Sequence, residues 1–263
     1  MAEHDGLVGV IDGMGDVAIA VSGGVDSMTL AHVAHAGSSA RVRMFHAVSP
    51  AVPVHATERV REHAAEHGWA LSIVGAGEFS DPDYLRNPVN RCYFCKSNLY
   101  ARIASAVGDT QICSGTNTDD LGDFRPGLGA AGEQGVRHPF VEAGIDKSAI
   151  RRIAAFFGLA DIAELPAQPC LASRVETGLP IDAGQLLLVD QVEQLVARTI
   201  GPGNIRARVT HAGIRLEVPA ERVSSVDQTL IDTLAGIAAR AGQGWAGIVP
   251  YVRGSAFIGK DRA

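Results

Sequence analysis

Three strings in the chain carry residue types whose spacing suits chemistry. The first is Ser22-Gly23-Gly24-Val25-Asp26-Ser27. It follows the apolar run Asp16 to Val21 and precedes a segment in which Met28, Leu30, Val33 and Ala34 recur at helical spacing. Two adjacent glycines let the backbone approach an anion closely, and a helix start behind them offers free N–H groups and a positive dipole end. Ser22 and Ser27 add hydroxyl donors, and Asp26 can hold a magnesium ion that bridges phosphates. A Gly-Gly turn with Ser and Asp as an ordinary N-cap explains parts of the string; the whole of it, behind a strand, favours a phosphate loop. No Gly-x-x-x-x-Gly-Lys-Ser/Thr string is present, which disfavours a Walker-type γ-phosphate transferase.

The second string runs from Asn87 to Lys96 and contains Cys92-x-x-Cys95 at an expected helix start, where the dipole favours thiolates. A third cysteine, Cys170, stands between Pro169 and Leu171-Ala172-Ser173-Arg174, so only folding could bring the three together. Three thiolates leave one iron of a cubane cluster open, whereas structural zinc wants a fourth ligand. Cys113 is available, but Gln111-Ile112-Cys113 reads as a strand, where a buried inert cysteine is the better account. The third string, Ser114 to Gly127, places Asp119, Asp120 and Asp123 after that strand, on the edge where parallel sheets bind ligands. Capping would explain each aspartate singly; their grouping with Arg125 favours a site. Asp120 and Asp123 can serve metal or substrate, and Arg125 can make a bidentate contact to a carboxylate or phosphate. Gly242 to Gly247 fits G-x-G-x-x-G, but it follows a helix and too little chain remains for a βαβ unit, so it reads as a turn.

The elements that must position these strings alternate. After the strand 16–21 and the helix 26–36 come a strand at 41–48, an amphipathic helix at 56–67 stopped by Gly68, a strand at 70–74, a helix at 91–107 and a strand at 111–113. Strands alternating with helices of this length imply crossovers and a parallel sheet covered on both faces. A helix at 146–157, with Gly158 as its stop, precedes a Pro-rich stretch, Leu165 to Pro180, which takes the domain boundary. The expected domains are 1–168 and 169–263. The second reads as a small α+β module: helix 182–199, strands 206–210 and 214–218, helix 221–241 and strand 248–252.

Composition sets outer limits. A chain of 263 residues suits one large domain plus a smaller one. Aromatics are 5% and glycines number 30, so the core must be built mostly from Ala, Val, Ile and Leu. The net charge of −6 speaks against a protein that grips nucleic acid, which needs a basic face, but leaves room for a small anion in a pocket. No run approaches the roughly 20 apolar residues of a membrane span, and Met1 to Asp5 lacks a signal-peptide pattern. A cytoplasmic location follows as the expectation, with the cysteines reduced and available for metal or catalysis.

The SGGVDS string resembles the PP-loop of the ATP pyrophosphatases. In order, SGGVDS, NPVNRCYFCK, SGTNTDDLGDFRPG, GVRHPFVEAGIDKSAIRRIAAFFGL and PCLASRVETG resemble the LarE-type sulfur-insertion enzymes of that group, from about Asp16 to Gly178. Arg206-Ala207-Arg208 and Ile214 to Val218 are similar to that family's C-terminal module. The resemblance implies an α/β fold: a parallel-sheet PP-loop domain (adenine nucleotide alpha hydrolase-like, Rossmann-like) and a smaller α+β domain for substrate and sulfur transfer. It implies that ATP adenylates a carboxylate of a pyridinium biscarboxylate mononucleotide and that sulfur then displaces AMP, as in nickel-pincer nucleotide biosynthesis. Ser22, Gly23, Gly24, Asp26 and Ser27 would hold ATP, pyrophosphate and Mg2+. Asp120, Arg125, Ser173, Arg174, Arg206 and Arg208 would bind the substrate, with Asp26, Asp123, Cys170 and Arg174 in catalysis. Single-cysteine members give up the sulfur of the residue matching Cys170. Members with three cysteines resemble a type in which Cys92, Cys95 and Cys170 would hold a 4Fe–4S cluster carrying an extra sulfide, supplied by sulfide or another sulfur donor. A homo-oligomer is the expected assembly. The rival readings are a PP-loop tRNA thiolase, which the acidic charge disfavours, and an ammonia-using amide synthetase, which has no use for three cysteines. A cluster- or nucleotide-binding regulator would have no use for the aspartate-rich loop.

Overall fold

A computed structural model describes residues 2–258; the ends of the two expected domains, residue 1 and residues 259–263, lie outside the described residues. The chain divides into two compact units, one of residues 2–81 and 90–168, the other of residues 82–89 and 169–258.

The first unit opens with α1 (Ala2–Asp12), β1 (Val17–Ala20), α2 (Val25–Gly37), β2 (Val42–Val48), α3 (Val54–His67) and β3 (Leu71–Gly75). After α4 (Pro82–Leu85), which belongs to the second unit, it resumes with α5 (Arg91–Val107) and β4 (Gln111–Ser114). It closes with α6 (Gly127–Glu133), α7 (Pro139–Glu142), α8 (Lys147–Phe156) and α9 (Ala160–Ala163). The sheet has the order β3-β2-β1-β4 and every pairing in it is parallel, as the alternation of strands and helices implies. Period-two alternation sorts its side chains. Val17, Ile19, Val42, Met44 and Cys113 enter one apolar cluster, while Ala18, Phe45 and Ile112 enter the other with Leu99, Tyr100 and Ile103 of α5. Both faces of the central strands are therefore covered, whereas β3 at the sheet edge is mostly exposed.

Sequence reasoning did not find α1, because Gly6 and Gly9 lower its helix propensity. Leu7 and Ile11, one turn apart and fully buried in the core, supply the packing that overrides it. Gly68 ends α3 in the left-handed conformation, with φ 67°.

The second unit is built on α10 (Ala183–Ile200), β5 (Arg206–Thr210), β6 (Gly213–Val218), α11 (Gln228–Arg240) and β7 (Trp245–Pro250). Its sheet has the order β5-β6-β7, antiparallel between β5 and β6 and parallel between β6 and β7. Residues 221–241 are not one helix. A 3-10 segment (Ala220–Ser225) comes first, and Asp227 then starts α11 by accepting from the Leu230 N–H at 2.8 Å. The glycine string at 242–247 is a turn only in its first half, since β7 begins at Trp245 and pairs with Ile214.

Asn87 accounts for the detour of residues 82–89 into this unit. Its Nδ2 donates to the Glu176 and Leu179 carbonyls, both at 2.9 Å, and its own carbonyl accepts from Gly178 at 3.0 Å. It is wholly buried at φ 53°, a left-handed conformation that Asn tolerates better than other side chains. Among the described residues no helix is long and apolar enough to cross a membrane.

Candidate active site

The chain runs outward from β1 through β2 to β3, then returns to place β4 on the other side of β1. The order of strands reverses between β1 and β4, and in open parallel sheets the crevice at that point, beyond the strands' carboxyl ends, takes the ligand. The loop 22–24 leaves β1 there, and the loop from Gly115 leaves β4 there. The two are in close contact: a Cβ on Gly115 would come within 2.7 Å of the Ser27 nitrogen. Only glycine fits that approach.

The first loop is held by its own hydroxyls. Ser27 Oγ accepts from the Ser22 N–H at 2.9 Å and lies 3.0 Å from Ser22 Oγ. Gly24 is the N-cap of α2 and provides no side-chain cap, so the dipole end of this helix faces outward from a glycine turn. Asp26, on the first turn, is ion-paired to Lys147 Nζ at 2.7 Å. Burial raises the Asp26 carboxyl above its ordinary range; Lys147 opposes the rise and nearby Asp120 adds to it.

The second loop is organised by a capping box. Asn117 Oδ1 accepts from the Asp119 N–H at 3.0 Å, and Asp120 Oδ2 accepts from the Asn117 N–H at 3.2 Å. Asp120 is buried, and its other oxygen takes Arg125 Nη2 at 2.6 Å. Asp123 stands 3.9 Å from the same guanidinium group. Asp119 accepts from the backbone N–H of Lys147 at 3.1 Å, so the start of α8 is tied to both loops. Ser22, Asp26, Ser27, Asp120, Asp123 and Arg125 are thereby brought together. Lys147, which completes the group, escaped sequence reasoning. The signal available was its place just after Asp146, the N-cap whose carboxylate accepts from Ala149 at 2.7 Å.

Cys92 and Cys95 lie on the first turns of α5, both partly exposed. Cys113 is buried in β4, and burial pushes its thiol up to about 12, with Arg137 opposing. That thiol stays protonated at neutral pH.

In the second unit Cys170 is exposed, at the N-cap of the 3-10 turn Leu171–Arg174. Arg174 is 4% exposed, and its guanidinium is fully engaged. Nε and Nη2 fork onto Glu193 at 2.9 and 2.8 Å, while Nη1 donates to the carbonyls of Pro169 at 2.6 Å and Cys170 at 3.1 Å and to Ser173 Oγ at 3.0 Å. Arg208, also buried, donates from Nε to Glu217 at 2.9 Å and from Nη1 to the Ser173 carbonyl at 3.0 Å. Two arginines on β5 and the Cys170 turn therefore fix the backbone around the cysteine. Arg206 lies beside Tyr251 and donates to the Ile205 carbonyl at 2.7 Å; burial, and then the charge of Arg174, lower its pKa. Glu193 and Tyr251 oppose that lowering, and the carboxylates of Glu193 and Glu217 balance Arg174 and Arg208. Glu193 and Glu217 were missed from sequence because nothing local ties a helix or strand carboxylate to an arginine elsewhere.

No family model matches the chain. The uncharacterised protein slr1717 of Synechocystis sp. is 38% identical to it over 213 residues, covering 80% of this chain and 79% of that protein. The pyridinium-3,5-bisthiocarboxylic acid mononucleotide synthase of Lactiplantibacillus plantarum is 26% identical over 221 residues, 82% of this chain and 79% of that one. The uncharacterised protein MJ0830 of Methanocaldococcus jannaschii is 26% identical over 195 residues, 73% of each chain.

Proposed function

The chain belongs to the family that includes the Synechocystis protein slr1717, and from that premise we propose that it is an ATP-dependent sulfur transferase acting on a pyridinium carboxylate mononucleotide. The observation that carries the reading is the pairing of a glycine loop and an acidic loop at the reversal point of a parallel sheet, with Asp26 between them. Distant similarity to a bisthiocarboxylate synthase over most of the chain supports the sulfur half.

In this reading a substrate carboxylate oxygen attacks the α-phosphorus of ATP, and pyrophosphate leaves into the loop formed by Ser22, Gly23, Gly24 and Ser27. Asp26 would hold Mg2+, which would neutralise phosphate charge, and for that Lys147 would give way or turn to the phosphates itself. Asp120 and Asp123 keep Arg125 poised toward an acidic group of the substrate. Sulfide then adds to the acyl carbon and AMP departs with the bond electrons, leaving a thiocarboxylate. Ser173, Arg174, Arg206 and Arg208 form the anionic-substrate side, Arg174 and Arg208 by holding the turn that presents Cys170.

Among the described residues no three His, Cys, Asp or Glu side chains stand grouped to hold a metal ion; what supports iron is donor type, since Cys92, Cys95 and Cys170 lie outside any disulfide, whereas Cys113 is buried and protonated. Those three thiolates would hold a 4Fe–4S cluster, which supplies an open iron for an exogenous sulfide. The protein works as a homo-oligomer in a reducing cytosol on this reading.

The test is anaerobic incubation with ATP, sulfide and pyridinium-3,5-biscarboxylic acid mononucleotide, with separation of the nucleotide products. AMP, pyrophosphate and a thiocarboxylate are expected. ADP with orthophosphate would overturn the phosphate-loop reading, and an acyl amide formed from ammonia would overturn the sulfur reading.

A further inference from the structure

The Ser22–Ser27 loop is braced from behind by α3, through a side chain that the site described above does not include. Arg59, half-buried, donates from Nη1 to the carbonyl of Gly23 at 2.7 Å and to Gln168 Oε1 at 3.2 Å. One turn earlier, Ala56 lies so close that a Cβ on Gly23 would come within 2.7 Å of its carbonyl oxygen, and Gly23 itself has φ 83°. Between them Thr57 meets His46 Nε2 at 2.9 Å, and His46 Nδ1 meets the Val21 carbonyl at 2.8 Å. A carbonyl can only accept, so Nδ1 carries the proton and Nε2 accepts from the threonine hydroxyl. Ala56, Thr57 and Arg59 thus fix the backbone on both sides of Ser22.

The consequence follows from peptide geometry. The carbonyl of Gly23 and the N–H of Gly24 belong to one planar trans unit and point in opposite directions. Anchoring that carbonyl toward α3 turns the Gly24 N–H toward the other side, where it makes a long 3.5 Å contact with Ser22 Oγ. A glycine pair left to itself would sample many orientations of this peptide, because neither residue has a Cβ to restrict it. We propose that Arg59 is a positioning residue that pins the Gly23–Gly24 peptide so that the Gly24 N–H faces a bound pyrophosphate group. The inference rests on the phosphate-loop reading given under Proposed function.

The experiment is calorimetric titration of the wild-type chain, Arg59→Met and Arg59→Gln with magnesium pyrophosphate and, separately, with AMP, alongside melting of each unliganded protein. Loss of a charge-assisted hydrogen bond that orients the loop is expected to weaken pyrophosphate binding by about tenfold or more in Arg59→Met. Arg59→Gln, which keeps an N–H donor without the charge, should fall between, and AMP affinity should hold. If the Met variant does not fold, the Gln variant reads the same difference. A wild-type chain that binds no pyrophosphate overturns the phosphate-loop reading and this inference with it. Wild-type binding matched by both variants overturns the inference alone, as does equal loss of AMP and pyrophosphate affinity.

Discussion

Lys147 and Asp26, 121 positions apart in the chain, form an ion pair in which Nζ lies 2.7 Å from both carboxylate oxygens. The pair joins the start of α8 to the first turn of α2, and the Lys147 backbone N–H is held in turn by Asp119. The Asp26 carboxylate is thus held against an ammonium group, in a partly buried position where an unpaired charge would be costly.

That relationship makes Lys147→Met informative. Burial already raises the Asp26 carboxyl, and removing its cation raises it further. A group with a raised folded pKa stabilises the fold fully below its unfolded pKa and loses that contribution as pH rises through the folded value. The variant should therefore lose more stability at neutral pH than at pH about 4, and the acid limb of AMP formation should move to higher pH. Paired denaturation curves and a pH–rate profile decide it; an unmoved acid limb would show that ionised Asp26 is not required.

His32 sets a second pH dependence. It is buried in α2, its ring edge-on to His67 at 4.7 Å, and burial, then the charges of His67, His63 and His35, lower its pKa to about 4, with Glu66 opposing. His63, in contact with His67, donates from Nε2 to Asp161 Oδ2 at 2.9 Å, and Phe157 closes the other side of His32. A depressed imidazole pKa leaves stability intact above the unfolded value of 6.5 and removes it as pH falls toward 4. The loss should reach about 2 kcal/mol by pH 5. His32→Leu should flatten this slope in urea denaturation across pH 5 to 7; an unchanged slope assigns the dependence elsewhere.

Glu193→Gln tests the support of the Cys170 turn. It leaves the Arg174 guanidinium, 4% exposed, without its counter-charge, and weakens the acceptor for the Ala207 N–H at 3.0 Å. Breaking a buried pair in this way costs about 3–5 kcal/mol. Loosening the Pro169 and Cys170 carbonyls should also change the alkylation rate of Cys170. Stability within 1 kcal/mol of wild type, with unchanged alkylation, would show that Arg174 does not hold the turn.

The cysteines separate by replacement with serine. Cys92→Ser, Cys95→Ser and Cys170→Ser should each reduce iron and acid-labile sulfide in anaerobic preparations while leaving ATP binding. Cys113→Ser buries a hydroxyl in the core, should cost about 1–3 kcal/mol, and should leave iron content unchanged. One zinc per chain with equal dependence on all four cysteines would mean a structural site. Loss of one sulfur from Cys170 per turnover would mean a sacrificial route.

Local pattern determined much of this protein. The apolar runs of β1, β2 and β4, the glycine pair behind β1, and the alternation of strand and helix prescribe a parallel sheet with Ser22 to Ser27 and Ser114 to Asp123 at its carboxyl edge, because these features depend on residues close in sequence. The helix stop at Gly68 and the buried, inert character of Cys113 were legible for the same reason. Long-range contact decided the rest. No local rule pairs Lys147 with Asp26, assigns Arg174 to Glu193 and the backbone beneath Cys170, or sends Arg59 to the Gly23 carbonyl. No local rule makes a helix of Ala2–Asp12 against its glycines, or draws Asn87 into the second unit through the carbonyls of Glu176 and Leu179. A charged or amide side chain chooses its partner from whatever burial leaves within reach, and that choice exists only once the elements have packed.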